Sequence, residues 1–371
     1  MDTSDLDRLL LRLAELDGSD LHVKAGAAPR VRIAGSLRTL PDEPRFTPEE
    51  TLQIAESMMQ PSNLEHFREH REVDFAYSVP GVGRFRVNAF YQRSSVALAM
   101  RLVRTSAATV ADLGLPPVIT RLAEEQRGLV LVTGPTGSGK TTTLAAMVDH
   151  INHTRACHVV TIEDPVEFLH DDDLAAIDQR EVGFDTNSFS SAMRVVLRQD
   201  PDVILVGEMR DLETVSAALT AAETGHLVLS TLHTTDATET INRIVDFFPP
   251  HQQNQTRVSL ASSIKGIICQ RLVPTADGNG RVPALEVLVS NGRIEQAIIE
   301  STQTSDIGSI IADGEYYGMM TFDQSLAGLV AAGTVDIREA MNSATNPHDL
   351  KVLLERSGVL QTGQFATASA V

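Results

Sequence analysis

A glycine-rich run that ends in a lysine and a hydroxyl residue, Gly134-Pro135-Thr136-Gly137-Ser138-Gly139-Lys140-Thr141, carries the plainest chemistry in the chain. Gly134, Gly137 and Gly139 let the backbone curl so that successive N–H groups converge on a polyphosphate, and a helix starting near Lys140 adds its positive dipole end there. Lys140 would then reach the β- and γ-phosphates, and the Thr141 hydroxyl would ligate Mg²⁺, with Thr142 next in the first helical turn. ATP and Mg²⁺ are therefore the expected cofactors. Lys140 is also the only lysine between Lys24 and Lys265.

Three further clusters follow, each at the end of an apolar run. The first is Ile162-Glu163-Asp164-Pro165-Val166-Glu167-Phe168, and the second is Ile204-Leu205-Val206-Gly207-Glu208-Met209-Arg210-Asp211. An apolar strand ending in a carboxylate is what a Walker B segment needs to hold the Mg²⁺ shell or orient the attacking water. Most such segments read Asp-Glu at this point; here Gly-Glu removes the aspartate ligand, so the remaining work falls to Glu208, with Glu163 as the competing carboxylate. The third, His226-Leu227-Val228-Leu229-Ser230-Thr231-Leu232-His233-Thr234, ends a strand in His233, suited to sensing a γ-phosphate. A lone histidine beside a strand is more often a satisfied core residue. It is the co-occurrence of all three clusters after a phosphate loop that favours a site.

Such groups need a parallel sheet to position them, because open α/β sheets bind ligands beyond the carboxyl ends of their strands. Gly128-Leu129-Val130-Leu131-Val132-Thr133 reads as the strand before the loop, and Leu144-Ala145-Ala146-Met147-Val148 as the helix after it. Strands over 158–164, 202–208 and 226–232 alternate with helices over Ser188 to Leu197 and Asp211 to Glu223, the latter closed by Gly225. Two more helical stretches are expected around Thr238 to Phe247 and Gln253 to Leu272.

Residues 1–108 read as a separate, smaller α+β domain: a leucine-striped helix over Asp2 to Asp17, a helix opened by Thr47-Pro48, and alternating strands that end at Arg101. Arg84, Arg86, Arg93, Arg101 and Arg104 crowd its last strands, a pattern that is usually a solvated sheet face. Residues 109–117, with Gly114-Leu115-Pro116-Pro117, read as a proline-stiffened linker, 118–350 as the ATPase domain with C-terminal helices, and 351–371 as a disordered tail.

At 371 residues and 42% hydrophobic, the chain has room for two cores, and no apolar run approaches the ~20 residues of a membrane span. Met1-Asp2-Thr3-Ser4-Asp5 has neither the basic nor the apolar part of a signal peptide, so a cytoplasmic protein is expected. Cys157 and Cys269 stand in apolar contexts and read as buried reduced thiols. A net charge of −18 opposes general binding of nucleic acid.

Taken together, these motifs resemble the type IV pilus retraction ATPases, the PilT and PilU group of the secretion ATPase superfamily, from Gly18 to about Gly333. The group's N-terminal signature appears as Gly18-Ser19-Asp20-Leu21-His22-Val23, and its Walker A, Asp box, Walker B and His box are the four stretches quoted above. Gly318-Met319-Met320-Thr321-Phe322-Asp323-Gln324-Ser325-Leu326 resembles the group again, whereas its Ala-Ile-Arg-Asn-Leu-Ile-Arg-Glu element is matched only by 291–300, which reads Asn-Gly-Arg-Ile-Glu-Gln-Ala-Ile-Ile-Glu. The resemblance implies a RecA-like P-loop ATPase domain preceded by a PAS-like α+β domain, assembled as a homohexamer. It further implies ATP hydrolysis coupled to pilus retraction, with Glu208 activating water and Arg86 and Arg101 reaching the nucleotide. Its implied partners are an inner-membrane platform protein, which recruits the motor to the inner face of the membrane without direct insertion, and a paralogous motor ATPase. Alternatives left open are a pilus assembly or type II secretion ATPase and a nucleotide-binding accessory subunit of such a motor. A DNA-translocating RecA-like motor is disfavoured by the acidity and by the lack of a base-stacking aromatic run.

Overall fold

The structure, a computed structural model, describes residues 3–40, 42–103 and 107–360. Arg104 and the segment from Gln361 lie outside the described residues. The chain forms two compact units, Met1–Ser106 with Glu167–Leu169, and Ala107–Val166 with His170–Val371.

In the first unit the order is α1 (Thr3–Glu15), β1 (Gly18–Lys24), β2 (Arg30–Ile33), β3 (Ser36–Thr39), α2 (Pro48–Met58), α3 (Pro61–His70), β4 (Glu72–Val79), β5 (Gly83–Gln92) and β6 (Ser95–Leu102). The strands form one antiparallel sheet in the order β3-β2-β1-β6-β5-β4. Leu6, Leu9, Leu10 and Leu13 of α1 bury the expected stripe against Leu21, Val23, Val87 and Met100. Helix α2 begins with a capping box: the Thr47 side chain accepts from the Glu50 N–H, and the Glu50 carboxylate accepts from the Thr47 N–H.

The second unit runs α4 (Pro117–Ala123), β7 (Gly128–Thr133), α5 (Lys140–Thr154), β8 (His158–Glu163), β9 (Ala176–Glu181), α6 (Phe189–Val196), β10 (Val203–Val206), α7 (Leu212–Glu223) and β11 (Leu227–Leu232). It continues through α8 (Ala237–Asp246), α9 (Pro250–Ser263), β12 (Ile264–Pro274), β13 (Arg281–Val289), α10 (Gly292–Ile299), α11 (Ile307–Ala312), α12 (Phe322–Ala331), α13 (Ile337–Ser343) and α14 (Pro347–Arg356). Its seven strands are ordered β13-β12-β7-β11-β10-β8-β9 and all pair in parallel except β12 with β13. Strands β7, β10 and β11 are buried at every residue, as an apolar parallel sheet with helices on both faces requires. Alternate residues of β7 serve the two sides: Leu129 and Leu131 enter one core, Val130 and Val132 the other.

Three expectations are corrected here. The helix expected through Leu272 stops at Ser263, and Ile264 to Pro274 is instead a strand beside β7. Its β-branched Ile264, Ile267 and Ile268 fit a pleated surface, and Gly266 leaves room for the Leu122 side chain of α4. The proline-rich stretch before the ATPase domain is part of that domain's core, where Val110 and Leu115 are buried, and Pro117 already starts α4. The region expected as a tail from 351 begins inside α14, which Leu350 and Leu354 fasten to the core.

Candidate nucleotide site

Strand β7 delivers the chain to the glycine-rich loop, and α5 begins at Lys140. Gly134 and Gly139 take φ of 140° and 91°, a region in which a side chain is strained. A Cβ on Gly134 would collide with the Gln270 carbonyl oxygen, and one on Gly139 would stand 2.7 Å from Gln270 Nε2. The loop is therefore pressed against β12 by the absence of side chains. Gln270, buried on that strand, donates from Nε2 to the Ser138 carbonyl at 2.7 Å and accepts at Oε1 from the Thr143 hydroxyl at 2.8 Å.

Lys140 is buried inside this loop. Its Nζ donates to the carbonyls of Gly134 at 2.8 Å and Pro135 at 3.2 Å, and lies 3.4 Å from Nδ1 of His233. Burial pushes its pKa below the usual lysine value, opposed by the charge of Glu208. His233 follows β11, and its Nε2 is 3.2 Å from Oε1 of Glu208, which follows β10. The other oxygen of Glu208 takes a 2.7 Å contact from Arg210. Burial would raise the Glu208 carboxyl, but Arg210 and His233 outweigh it and hold the group below the usual carboxylate range. Strands β10 and β11 are stitched at these ends by the Ser230 hydroxyl on the Val206 carbonyl and the Thr231 hydroxyl on the Gly207 carbonyl, both at 2.7 Å. The result is a continuous line, Lys140–His233–Glu208–Arg210, across the carboxyl ends of β7, β11 and β10.

Glu163, the last residue of β8, is buried and accepts at Oε1 from Thr161 at 2.7 Å and from Gln179 of β9 at 3.2 Å. Thr141 and Thr142 lie partly buried in the first turn of α5, and Pro135, Thr136 and Gly137 form the exposed crest of the loop. Ser138 Oγ is buried with no partner among the described residues, and Lys140 is satisfied by carbonyls of its own loop. An orphaned hydroxyl beside a folded-back ammonium fits a phosphate group, to which both can turn.

Arg86 and Arg101 lie on the first unit's sheet as directly opposed residues of β5 and β6. Arg101 donates from Nε to Asp20 of β1 at 2.8 Å, and Arg32 approaches the other Asp20 oxygen at 3.5 Å. Burial pushes the Asp20 carboxyl up, yet the Ser19 hydroxyl and the two arginines bring it below its ordinary value. Arg101 is thus ion-paired and still 71% exposed at its side chain. Cys269 is fully buried and Cys157 partly so, and both are free thiols.

Behind the His233 loop, Glu286 of β13 accepts the N–H of Ala237 at the start of α8 at 2.9 Å. Desolvation raises its pKa from 4.5 to about 6, with Ala237 and Arg271 pulling down and Asp236 and Asp323 pushing up. A folded-state pKa above the unfolded one means that stability falls as pH rises from about 4.5 to 6 and stays lower above that. Glu286→Gln, which keeps the acceptor, is expected to stabilise the protein by about 2 kcal/mol at pH 7.5, a gain that shrinks toward zero near pH 4.5. Urea unfolding of both proteins across that range checks this; an equal difference at all pH values removes the assignment.

A largely parallel sheet in which β7 enters this loop, with a histidine and a carboxylate ending the next two strands over, β11 and β10, has the architecture of a P-loop nucleotide-binding domain. The chain belongs to the type II/IV secretion system protein family, which matches residues 13–342. It is 44% identical over 345 residues to the type IV pilus retractation ATPase PilT of Pseudomonas aeruginosa, covering 93% of this chain and 99% of that protein. It is 38% identical over 351 residues to the type IV pilus ATPase PilU of the same organism, covering 95% and 91%. Among solved structures, the pilus retraction motor PilT with bound ADP superposes with a TM-score of 0.85 at 46% identity, covering 93% of this chain and 98% of that one.

Proposed function

We propose that this protein is a hexameric, cytoplasmic motor ATPase that couples ATP hydrolysis to type IV pilus retraction. The observation that carries the reading is the line from Lys140 through His233 to Glu208 beside a glycine loop, in a chain similar over nearly all its length to retraction ATPases. Backbone N–H groups of 136–141 and the Lys140 amine hold the phosphates, with Gly134, Pro135, Gly137, Ser138, Gly139 and Thr142 shaping or flanking the cradle. Mg²⁺, when bound, neutralises phosphate charge. Thr141 would supply a hydroxyl ligand, and Glu208, each of whose oxygens has one partner and a lone pair to spare, would complete the shell directly or through water. With those partners in place, Glu208 is placed to orient and deprotonate water. His233, which touches both Lys140 and Glu208, links phosphate occupancy to the base. Glu163 has the buried, hydrogen-bonded surroundings of a supporting carboxylate.

No helix among the described residues is long and apolar enough to cross a membrane. With a net charge of −18, recruitment to the membrane falls to a platform protein, and a paralogous motor is a further partner. Deleting the gene is expected to leave cells with more surface pili and without twitching motility; bald cells would instead assign the protein to pilus assembly.

Arg86 and Arg101 are proposed as the arginines that neutralise the transferred phosphoryl group, a contribution of roughly 10³-fold in such enzymes. Arg101→Ala is expected to bind nucleotide within a few-fold of wild type and to form hexamers, yet lose most hydrolysis. Wild-type turnover by that variant would leave Arg101 as the ion-pair partner of Asp20 alone.

A further inference from the structure

Strand β12 is the one neighbour of β7 that carries none of the motifs recognised in the sequence, yet its side chains are built into the loop. Successive residues of a strand point to opposite faces. Gln270 points at the phosphate loop, where its side-chain amide bridges the Ser138 carbonyl and the Thr143 hydroxyl and packs against Gly139, while its backbone carbonyl packs against Gly134. Arg271 points the other way. Its guanidinium lies 3.9 Å over the ring of Phe322 at the start of α12 and donates to the Ser343 carbonyl and the Thr345 hydroxyl, both at 3.2 Å. Phe322 is followed by Asp323, whose buried carboxylate accepts the N–H groups of Thr345 and Asn346.

We infer that Gln270 is a positioning residue of the nucleotide site, and that Arg271 fastens β12 from its opposite face so that Gln270 stands fixed against the loop. A neutral amide is the side chain that serves. It donates to a carbonyl and accepts from a hydroxyl at once, and it brings no charge beside a phosphate site. Held this way, Ser138 and the first turn of α5 keep the N–H groups between them converged before nucleotide arrives, which lowers the cost of ordering the loop on binding. Because the same grip acts on bound substrate and on the reacting complex, its loss is a loss of uniform binding, seen in affinity and KM far more than in kcat.

This inference rests on the loop binding nucleotide, so the wild type is measured first. Titration of the full-length protein with ADP is compared for wild type, Gln270→Ala, Gln270→Glu and Arg271→Lys, with ATP turnover followed for each. Gln270→Ala is expected to weaken ADP binding by about 10-fold and raise KM similarly, with kcat within about 3-fold. The near-isosteric Gln270→Glu keeps the volume and the Thr143 contact but sets a carboxylate oxygen against the Ser138 carbonyl; it is expected to bind ADP at least as poorly as Gln270→Ala. Arg271→Lys keeps charge while losing the planar stack, and is expected to weaken ADP by a few-fold without changing kcat. Should Gln270→Ala not fold, the Gln270→Glu titration decides alone. ADP affinity within 2-fold of wild type in the folded Gln270 variants overturns the inference, as does a collapse of kcat at unchanged KM, which would place Gln270 in the chemical step. Failure of the wild type to bind ADP removes the nucleotide reading itself, and this inference with it.

Discussion

Glu208→Gln is expected to keep ATP bound and to lower turnover by at least about 10²-fold. The phosphate cradle does not include this side chain: Lys140, the loop backbone and Gln270 are all intact in the variant. What disappears is a carboxylate that Arg210 and His233 hold ionised against its own desolvation. A glutamine amide can still accept one of those contacts, so the fold at the end of β10 survives, but the amide cannot take a proton from water. Equilibrium binding of a fluorescent ATP analogue, together with single-turnover hydrolysis, reads the two effects separately. Glu163→Gln serves as the counterpart. Its side chain receives hydrogen bonds from Thr161 and Gln179, which an amide partly retains, so a smaller loss is expected. If Glu163→Gln is the dead enzyme and Glu208→Gln the active one, the two carboxylates exchange roles.

Lys140→Ala is expected to abolish measurable hydrolysis, a loss of at least about 10³-fold, and to weaken nucleotide binding as well. The amine is the single cation seated in the described loop, and it already rests on the Gly134 and Pro135 carbonyls, a short swing from any phosphate held by the same backbone. Removing it takes the lysine donor from the Gly134 carbonyl, leaves the Pro135 carbonyl with the Ser138 N–H alone, and leaves His233 with Glu208 but without its lysine neighbour. Lys140→Arg is not expected to rescue activity, because the socket is buried and shaped for a compact ammonium group, and a planar guanidinium fits neither its size nor its donors. Turnover within 10-fold of wild type in either variant would exclude Lys140 from the chemistry. Thermal unfolding of the nucleotide-free proteins separates a lost charge from a lost fold.

Much of the site was legible because its parts announce themselves locally. An apolar run, a glycine turn and a lysine can be read without knowing what lies beside them, and so can the carboxylate and histidine that end Val203–Val206 and Leu227–Leu232. Arg210 was visible two residues beyond Glu208, but only the turn after β10 folds it back onto the carboxylate. Gln270 was hidden altogether. A single glutamine in an apolar run signals nothing, and the polar mixture of 253–263 drew the helical reading onward into Ile264–Pro274, where three isoleucines already argued for a strand and a glycine against a helix. Strand β9 escaped for a related reason: Ala176-Ile177-Asp178-Gln179-Arg180-Glu181 is a polar edge strand, and pairing with β8 supplies the order that its composition does not. Arginines 86 and 101 were picked out by resemblance, and the sheet adds the carboxylate of Asp20 that one of them grips.

An engine that idles must not burn fuel. With Glu208 as the base, the resting site has a built-in brake: one carboxylate oxygen is clasped by Arg210 and the other by His233, while Lys140 leans on the loop instead of waiting in open solvent. On this reading water is activated faster once one of these grips slackens, and the natural trigger is a phosphate that draws Lys140 and His233 toward itself. Ignition is thereby tied to the arrival of a fully loaded site, and the stitched ends of β10 and β11 keep the stems of Glu208 and His233 in step while it happens. On that reading leakage, the slow consumption of ATP by motors doing no work, depends on how firmly Arg210 holds Glu208.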